Sequence, residues 1–207
     1  VGKYSEQFNM VKACLDQIRE FIEKPELSRP EKNAVLDETA YRFENVSFAY
    51  NETEVLKNVS FEIKPCTVSA IVGPSGSGKS TIAKLMAGFW DATKGEVIFG
   101  GKNIKEIPFA QLMGEVSYVA QDNFLFDESI RENIRLGKPD ATDDEVVAAA
   151  KAACCHDFIV NLENGYDTNA GDAGEKLSGG ERQRITIARA ILKNARVIIL
   201  DEATAYA

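Results

Sequence analysis

The 207-residue sequence predicts an α/β fold with a mainly parallel central sheet. A short apolar run at residues 67–72 enters a Gly/Ser cluster at 73–78. Beyond it, Ile82, Leu85, Met86 and Phe89 fall at helical spacing, which reads as strand, loop, helix. A second apolar run, Val197-Ile198-Ile199-Leu200, ends in Asp201-Glu202. Four consecutive apolar residues suit a strand buried on both faces of a parallel sheet. Between the two runs, strand-like and helix-like segments alternate, as they do when parallel strands are joined by crossover helices.

The elements follow in order. Residues 1–24 read as a helix, because Phe8, Val11, Leu15, Ile18 and Ile22 make one apolar stripe at three- and four-residue steps. Pro25 and Pro30 end it, and residues 25–33 read as a linker. Residues 41–50 and 55–63 alternate and carry Val, Phe and Tyr, as strands do. Residues 96–99 and 116–120 are further strands. Residues 128–160 read as mostly helical, with Thr142 as the cap of a helix at 143–153. A last helix, 181–194, leads into the strand at 197–200. No internal repeat or low-complexity tract is present.

The formal net charge of -8 argues against a nucleic-acid grip made by bulk charge, which rests on clustered Lys and Arg. It leaves small anionic ligands open, since these need only a few local donors. No apolar run reaches the roughly 18 residues that span a bilayer, and no signal peptide is visible. The expectation is a soluble, cytoplasmic chain. Cys14, Cys66, Cys154 and Cys155 show neither a disulfide framework nor zinc spacing. Cys154, Cys155 and His156 stand side by side, poor geometry for ligands of one metal, and read as ordinary reduced residues.

Gly73-Pro74-Ser75-Gly76-Ser77-Gly78-Lys79-Ser80-Thr81 fits the pattern Gly-x4-Gly-Lys-Ser/Thr. Its glycines let the backbone curl until its N–H groups point inward at phosphate oxygens. The following helix presents its positive N-terminus to the same anion. Lys79 is placed to reach the β/γ-phosphates of a nucleoside triphosphate, and the Ser80 hydroxyl to ligate Mg²⁺. A flexible Gly/Ser turn is the bland alternative. A buried strand before the loop and an amphipathic helix after it favour the phosphate site.

Asp201 and Glu202 follow an apolar strand, so they sit where α/β sheets bind ligands, at the carboxyl ends of their strands. Asp201 would hold Mg²⁺ directly or through water. Glu202, one residue on, could polarise an attacking water as a general base. Alone, an apolar run ending in Asp-Glu is equally a strand end with a solvated turn.

Leu177-Ser178-Gly179-Gly180-Glu181-Arg182-Gln183-Arg184 places two glycines and a serine at a helix start. That is a second anion-binding helix terminus, with N–H groups left bare and a hydroxyl beside them. The octapeptide resembles the signature of ATP-binding cassette proteins. The resemblance runs from about Tyr41 to the end of the sequence. It implies a P-loop NTPase (RecA-like) core with an antiparallel β-subdomain and an inserted helical subdomain. It also implies a head-to-tail dimer in which Ser178, Gly179 and Gly180 close on the ATP held by a second nucleotide-binding domain.

The same resemblance makes Tyr50, in Phe48-Ala49-Tyr50, look like the aromatic that stacks on adenine. Without it, Tyr50 reads as a core or edge-strand tyrosine. Gln121, in Tyr118-Val119-Ala120-Gln121-Asp122, looks like the glutamine that touches Mg²⁺ and the attacking water. Gly171-Asp172-Ala173-Gly174-Glu175 and Glu128-Ser129-Ile130-Arg131-Glu132-Asn133-Ile134 are similar to exporter-type runs. Residues 1–40 then resemble the helix and linker from a transmembrane domain, a partner at the cytoplasmic face of the cell membrane. A helix packed on its own domain is the other reading. Residues 41–121 would be the β-subdomain and first part of the core, 122–178 the helical subdomain, and 179–207 the signature helix and the strand carrying Asp201.

The implied activity is hydrolysis of Mg-ATP to power export, with Glu202, Lys79 and Gln121 catalytic. A soluble cassette ATPase of DNA repair or translation is the alternative. About 100 residues separate Lys79 from Ser178, which leaves no room for a long inserted coiled coil and speaks against it. Cys66 stands where the family usually has glycine. The family's switch histidine lies beyond Ala207, so the expectation is a C-terminally truncated cassette.

Overall fold

The computed structural model of the chain describes residues 2–23 and 27–201. Pro25 and Glu202 therefore lie outside the described residues. Helix α1 spans Gly2–Ile22. Its predicted apolar stripe, Phe8, Val11, Leu15, Ile18 and Ile22, is exposed. Strands β1 (Tyr41–Tyr50) and β2 (Thr53–Ile63) form a hairpin closed by Asn51-Glu52. Asn51 takes the left-handed conformation at φ 53°, which asparagine tolerates better than most residues. Strands β3 (Lys94–Phe99) and β4 (Lys102–Asn103) complete an antiparallel sheet of order β2-β1-β3-β4.

Alternation on β1, shifted by one residue at an irregularity between Phe43 and Val46, turns Tyr41, Phe43, Val46 and Phe48 into the core, and β3 adds Val97 and Phe99. Tyr41 stacks on Phe99 at 4.6 Å, and Phe43 on Phe61 at 4.5 Å. Helix α2 (Lys79–Met86) buries Ile82, Leu85 and Met86 in the same cluster. Tyr41 donates its hydroxyl to the Met86 carbonyl at 3.0 Å, which satisfies a polar group inside that core. The fold thus seats the start of α2 beside the end of β1.

Helix α3 (Phe109–Glu115) leads into β5 (Val116–Val119), which pairs in parallel with β6 (Val197–Leu200). A helical unit lies between these two strands in sequence: α4 (Ile130–Arg135), α5 (Asp143–Ala152), α6 (His156–Val160) and α7 (Gly179–Lys193). It has its own core, including Ile130, Ile134, Val146, Ile159 and Ile185. Thr142 caps α5 as the sequence predicts, in a reciprocal capping box with Glu145.

Residues 67–72 depart from expectation. They run without ladder pairing among the described residues, and Val68 and Val72 are exposed. A strand needs a neighbour to satisfy its N–H and C=O groups. Among the described strands β6 pairs with β5 alone, so no neighbour reaches this segment.

Cys66, in the turn before that segment, has φ 55°. This is left-handed backbone, which a Cβ disfavours by about 1–2 kcal/mol. Glycine removes that strain but adds unfolded-state freedom, which offsets about 0.4–1 kcal/mol. Cys66→Gly should therefore stabilise the domain by roughly 0.5–1 kcal/mol. Denaturant unfolding at fixed m-value measures it, and a lower midpoint for the variant would refute the account.

Candidate functional site

The Gly-rich loop is built for main-chain contacts. Gly76 and Gly78 have φ of 78° and 90°, and residues 73–77 are exposed. Gly78 stands at the N-cap of α2 with no side-chain cap, so the first amides of that helix are not spent on a capping oxygen. A Cβ at Gly78 would lie 2.6 Å from Leu56 Cδ2, so the site needs glycine for space as well as for φ. The Ser77 amide donates to the Pro74 carbonyl at 3.2 Å and closes the turn. Lys79 Nζ donates to the carbonyls of Gly73 at 3.1 Å and Pro74 at 3.0 Å. An ammonium carries three donors, so one remains for an anion over the loop. Ser75 lies on the exposed arc, and Thr81 is buried in the first turn of α2.

Ser80 and Asp201 are brought together from opposite ends of the domain. The Ser80 hydroxyl donates to Asp201 Oδ1 at 2.8 Å. Tyr118 donates its hydroxyl to Oδ2 at 2.8 Å, and the Asp201 amide continues the ladder to the Val119 carbonyl at 3.0 Å. Asp201 is only 7% exposed, so its carboxylate needs both donors. Burial, and then the hydrogen bond to Asp201, push the Tyr118 phenol well above its ordinary value. Hard oxygen donors beside a phosphate loop fit a Mg²⁺ ion, which is usually held by one or two carboxylates plus substrate phosphates. Ser80 and Asp201 would hold it there.

Gln121 follows the end of β5 as Asp201 follows the end of β6, and the register Val119↔Leu200 sets the two strand ends side by side. Gln121 is exposed, and its carbonyl accepts from Asn123 Nδ2 at 3.0 Å. Asn123, itself buried, accepts from the Thr186 hydroxyl of α7 at 3.0 Å. Glu202 lies outside the described residues. Tyr50, at the end of β1, meets Phe48 and Trp90 edge-to-face at 4.8 and 5.7 Å.

The Ser178 end differs in one respect from the sequence expectation. Gly179 and Gly180 do open α7, but the Ser178 hydroxyl is not bare. It accepts from the Glu181 amide at 3.3 Å and donates to Glu181 Oε2 at 2.7 Å, and the Ser178 amide donates to the same oxygen at 2.7 Å. These bonds hold the Glu181 carboxyl below the usual range, the Ser178 hydroxyl contributing most. The pattern Ser-x-x-Glu was the available signal. Arg182 ties the preceding loop to α7 through the carbonyls of Leu177 and Gly174. No hydrogen bond among the described residues joins 73–81 to 178–180.

Comparison with known proteins gives the family. The family model described as "ABC transporter" matches residues 56–205. The chain belongs to the ABC transporter family. A putative multidrug export ATP-binding/permease protein of Staphylococcus aureus is 49% identical over 163 residues, 78% of this chain and 28% of that protein. An ATP-dependent lipid A-core flippase of Syntrophus aciditrophicus is 48% identical over 160 residues, 77% of this chain and 27% of that protein. A solved bacterial Atm1-family ABC exporter with ATP bound superposes with a TM-score of 0.88 at 39% identity, over 95% of this chain and 35% of that one. The chain thus spans about a third or less of these ABC proteins, and it carries an ATP-binding portion.

Tyr118 is the site residue that sequence reasoning did not single out. Removing its hydroxyl leaves one oxygen of a buried carboxylate without its donor. Tyr118→Phe should destabilise the domain by about 1–3 kcal/mol. Thermal and urea unfolding measure this; a wild-type midpoint would show that water serves Asp201 equally well.

Proposed function

We propose that this chain is the ATP-binding and ATP-hydrolysing domain of an exporter, paired head-to-tail with a second such domain to drive a substrate across a membrane. The observation that carries the reading is the 2.8 Å bond from Ser80 to Asp201, which joins the phosphate loop to the end of β6. With Lys79 beside it, the arrangement gathers cation, hydroxyl and carboxylate around one anion position. Phosphoryl transfer needs little else from a protein than such positioning and charge.

Tyr50 stacks on the base. The backbone N–H groups of the loop 73–81, in which Pro74 has none, and the Lys79 ammonium hold the phosphates. Ser80, Asp201 and Gln121 would hold Mg²⁺, which would supply positive charge to offset that of the phosphates. Gln121 also orients the attacking water, and Glu202 takes its proton. Ser178, Gly179 and Gly180 serve the γ-phosphate held by the second domain, homologous or identical. The partition supports this: among the described residues, the signature end shares no hydrogen bond with its own chain's loop.

The export reading rests on relatives named as a multidrug export protein, a lipid flippase and an Atm1-family exporter. None of the described helices is long and apolar enough to cross a membrane. The membrane-spanning partner is assigned to a permease portion like that in the relatives' names, joined through residues 1–40. This domain then works at the cytoplasmic face.

In the whole protein that carries this domain, Lys79→Ala should weaken ATP binding about tenfold or more, about 1.4 kcal/mol at least. Titration with a fluorescent ATP analogue measures it, and unchanged affinity would remove residues 73–81 from the site. Glu202→Gln should retain Mg-ATP while turnover falls by about 10²–10⁴, the usual size of a general-base contribution. Single-turnover hydrolysis alongside binding separates the two, and near-wild-type turnover would take Glu202 out of the chemistry.

A further inference from the structure

The turn that carries Trp90 is tied down on every side except at Trp90 itself. The Phe89 amide donates to the Lys84 carbonyl at 3.0 Å. Asp91 receives both guanidinium nitrogens of Arg29, at 3.0 and 2.6 Å. The Ala92 carbonyl accepts from Lys105 at 3.3 Å. Thr93 bonds β1 twice, through its amide to the Ser47 carbonyl at 2.9 Å and through its hydroxyl from the Ala49 amide at 3.3 Å. The anchoring elements are α2, the linker, the 3-10 turn after β4, and β1. The indole of Trp90 projects from this frame against Tyr50 at 5.7 Å and Phe48 at 6.1 Å. With the 4.8 Å contact of Phe48 and Tyr50, the three rings close a triangle at the end of β1.

Trp90 is 46% exposed, so burial alone does not account for its place. Nor does stability account for Arg29. Its side chain is 4% exposed, its Nε has no partner among the described residues, and its guanidinium lies over the Phe109 ring at 5.4 Å. Such a buried ion pair regains in Coulomb energy little more than it loses in desolvation. What a bidentate guanidinium–carboxylate pair does provide is fixed geometry.

We propose that Trp90 is a positioning residue for the Tyr50 ring in base stacking, and that the Arg29–Asp91 pair holds the turn that places it. This rests on the reading of Tyr50 as the adenine platform. A T-shaped partner confines a ring that has only two side-chain torsions, so Tyr50 is set before the base arrives and less ordering is left to binding. It also makes the linker part of the base site: Arg29 belongs to the segment between α1 and β1, and a pull on that segment acts on Tyr50 through two residues.

Calorimetric titration of the whole protein with ATP, and separately with inorganic tripolyphosphate, tests the proposal. Tripolyphosphate uses the phosphate loop and has no base. Trp90→Ala should weaken ATP about two- to tenfold, the fold-change matching the worth of one aromatic pair, and leave tripolyphosphate unchanged. Trp90→Phe should bind ATP nearly as wild type. Arg29→Met, which disturbs the turn without touching the rings, should give the same ATP-selective loss. In a Tyr50→Ala background, Trp90→Ala should cost nothing further. Equal weakening of both ligands would mean general damage to the fold and overturns the proposal. Unchanged ATP affinity in Trp90→Ala, with Tyr50→Ala still weakened, overturns it while the platform reading stands. Unchanged affinity in Tyr50→Ala removes the platform and the proposal together.

Discussion

Ser80 and Asp201 are 121 residues apart and meet at 2.8 Å. The proposed site depends on that closure, because the loop without the carboxylate is only an anion cradle. Loop-closure entropy grows slowly with length, so the distance in sequence is a modest obstacle. The harder requirement is that both ends be fixed before they meet. Helix α2 is fixed by burying Ile82, Leu85 and Met86 against the antiparallel sheet. Asp201 is fixed by β6, whose ladder to β5 it extends through its own amide. A buried carboxylate left without hydrogen-bond partners is costly. The hydroxyls of Ser80 and Tyr118 pair both of its oxygens and hold it in place.

The second constraint is that α7 serves two cores. Ile185, Ala188 and Leu192 lie in the core of the helical unit, whereas Ala190 packs on Val119 of β5. Ser117 donates to the Ala190 carbonyl, and Lys193 to the Val116 carbonyl at 2.8 Å. Arg189 bonds both the carbonyl and the side-chain oxygen of Asn133, a wholly buried residue that in turn pins the segment from Phe126 to Ser129. The helix that starts at Ser178 is therefore anchored to the strand that ends before Gln121. Thr186 and Asn123 add a buried link at that point. Displacement of residues 121–123 is opposed by contacts along α7, so the two proposed nucleotide-facing regions of the chain are mechanically joined.

What the sequence made legible was what is local. The Gly-rich loop, the cap at Thr142, the β1–β2 hairpin and the apolar strand before Asp201 are written in residues within a turn or a strand of one another. Residues 67–72 have the composition of a strand, yet pairing depends on a neighbour that composition does not name. The same limit hid Tyr118: a tyrosine on a strand is ordinary until a carboxylate 83 residues away meets its hydroxyl. Arg29 and Asp91, 62 residues apart, were equally silent, since nothing local to either names the other. Glu181 was a different kind of miss. Its spacing from Ser178 signals a capping box, but the glycines drew the reading toward an open anion site.

That difference between two helix starts bears on the order of events in the proposed pair. Helix α2 begins at a left-handed glycine with no side chain over its amides, so its positive end is available to a phosphate at once. Helix α7 begins with its serine already donating to a carboxylate, and that carboxylate offsets the positive end of the helix. A phosphate approaching Ser178 meets a hydroxyl that must turn away from Glu181 and a negative charge that must be outweighed. Residues 178–180 would thus be a poor anion site alone and a serviceable one against a phosphate already screened by Lys79. In the proposed pair, the loop of one domain would therefore hold its nucleotide first, and the Ser178 end of the other would close on it afterwards.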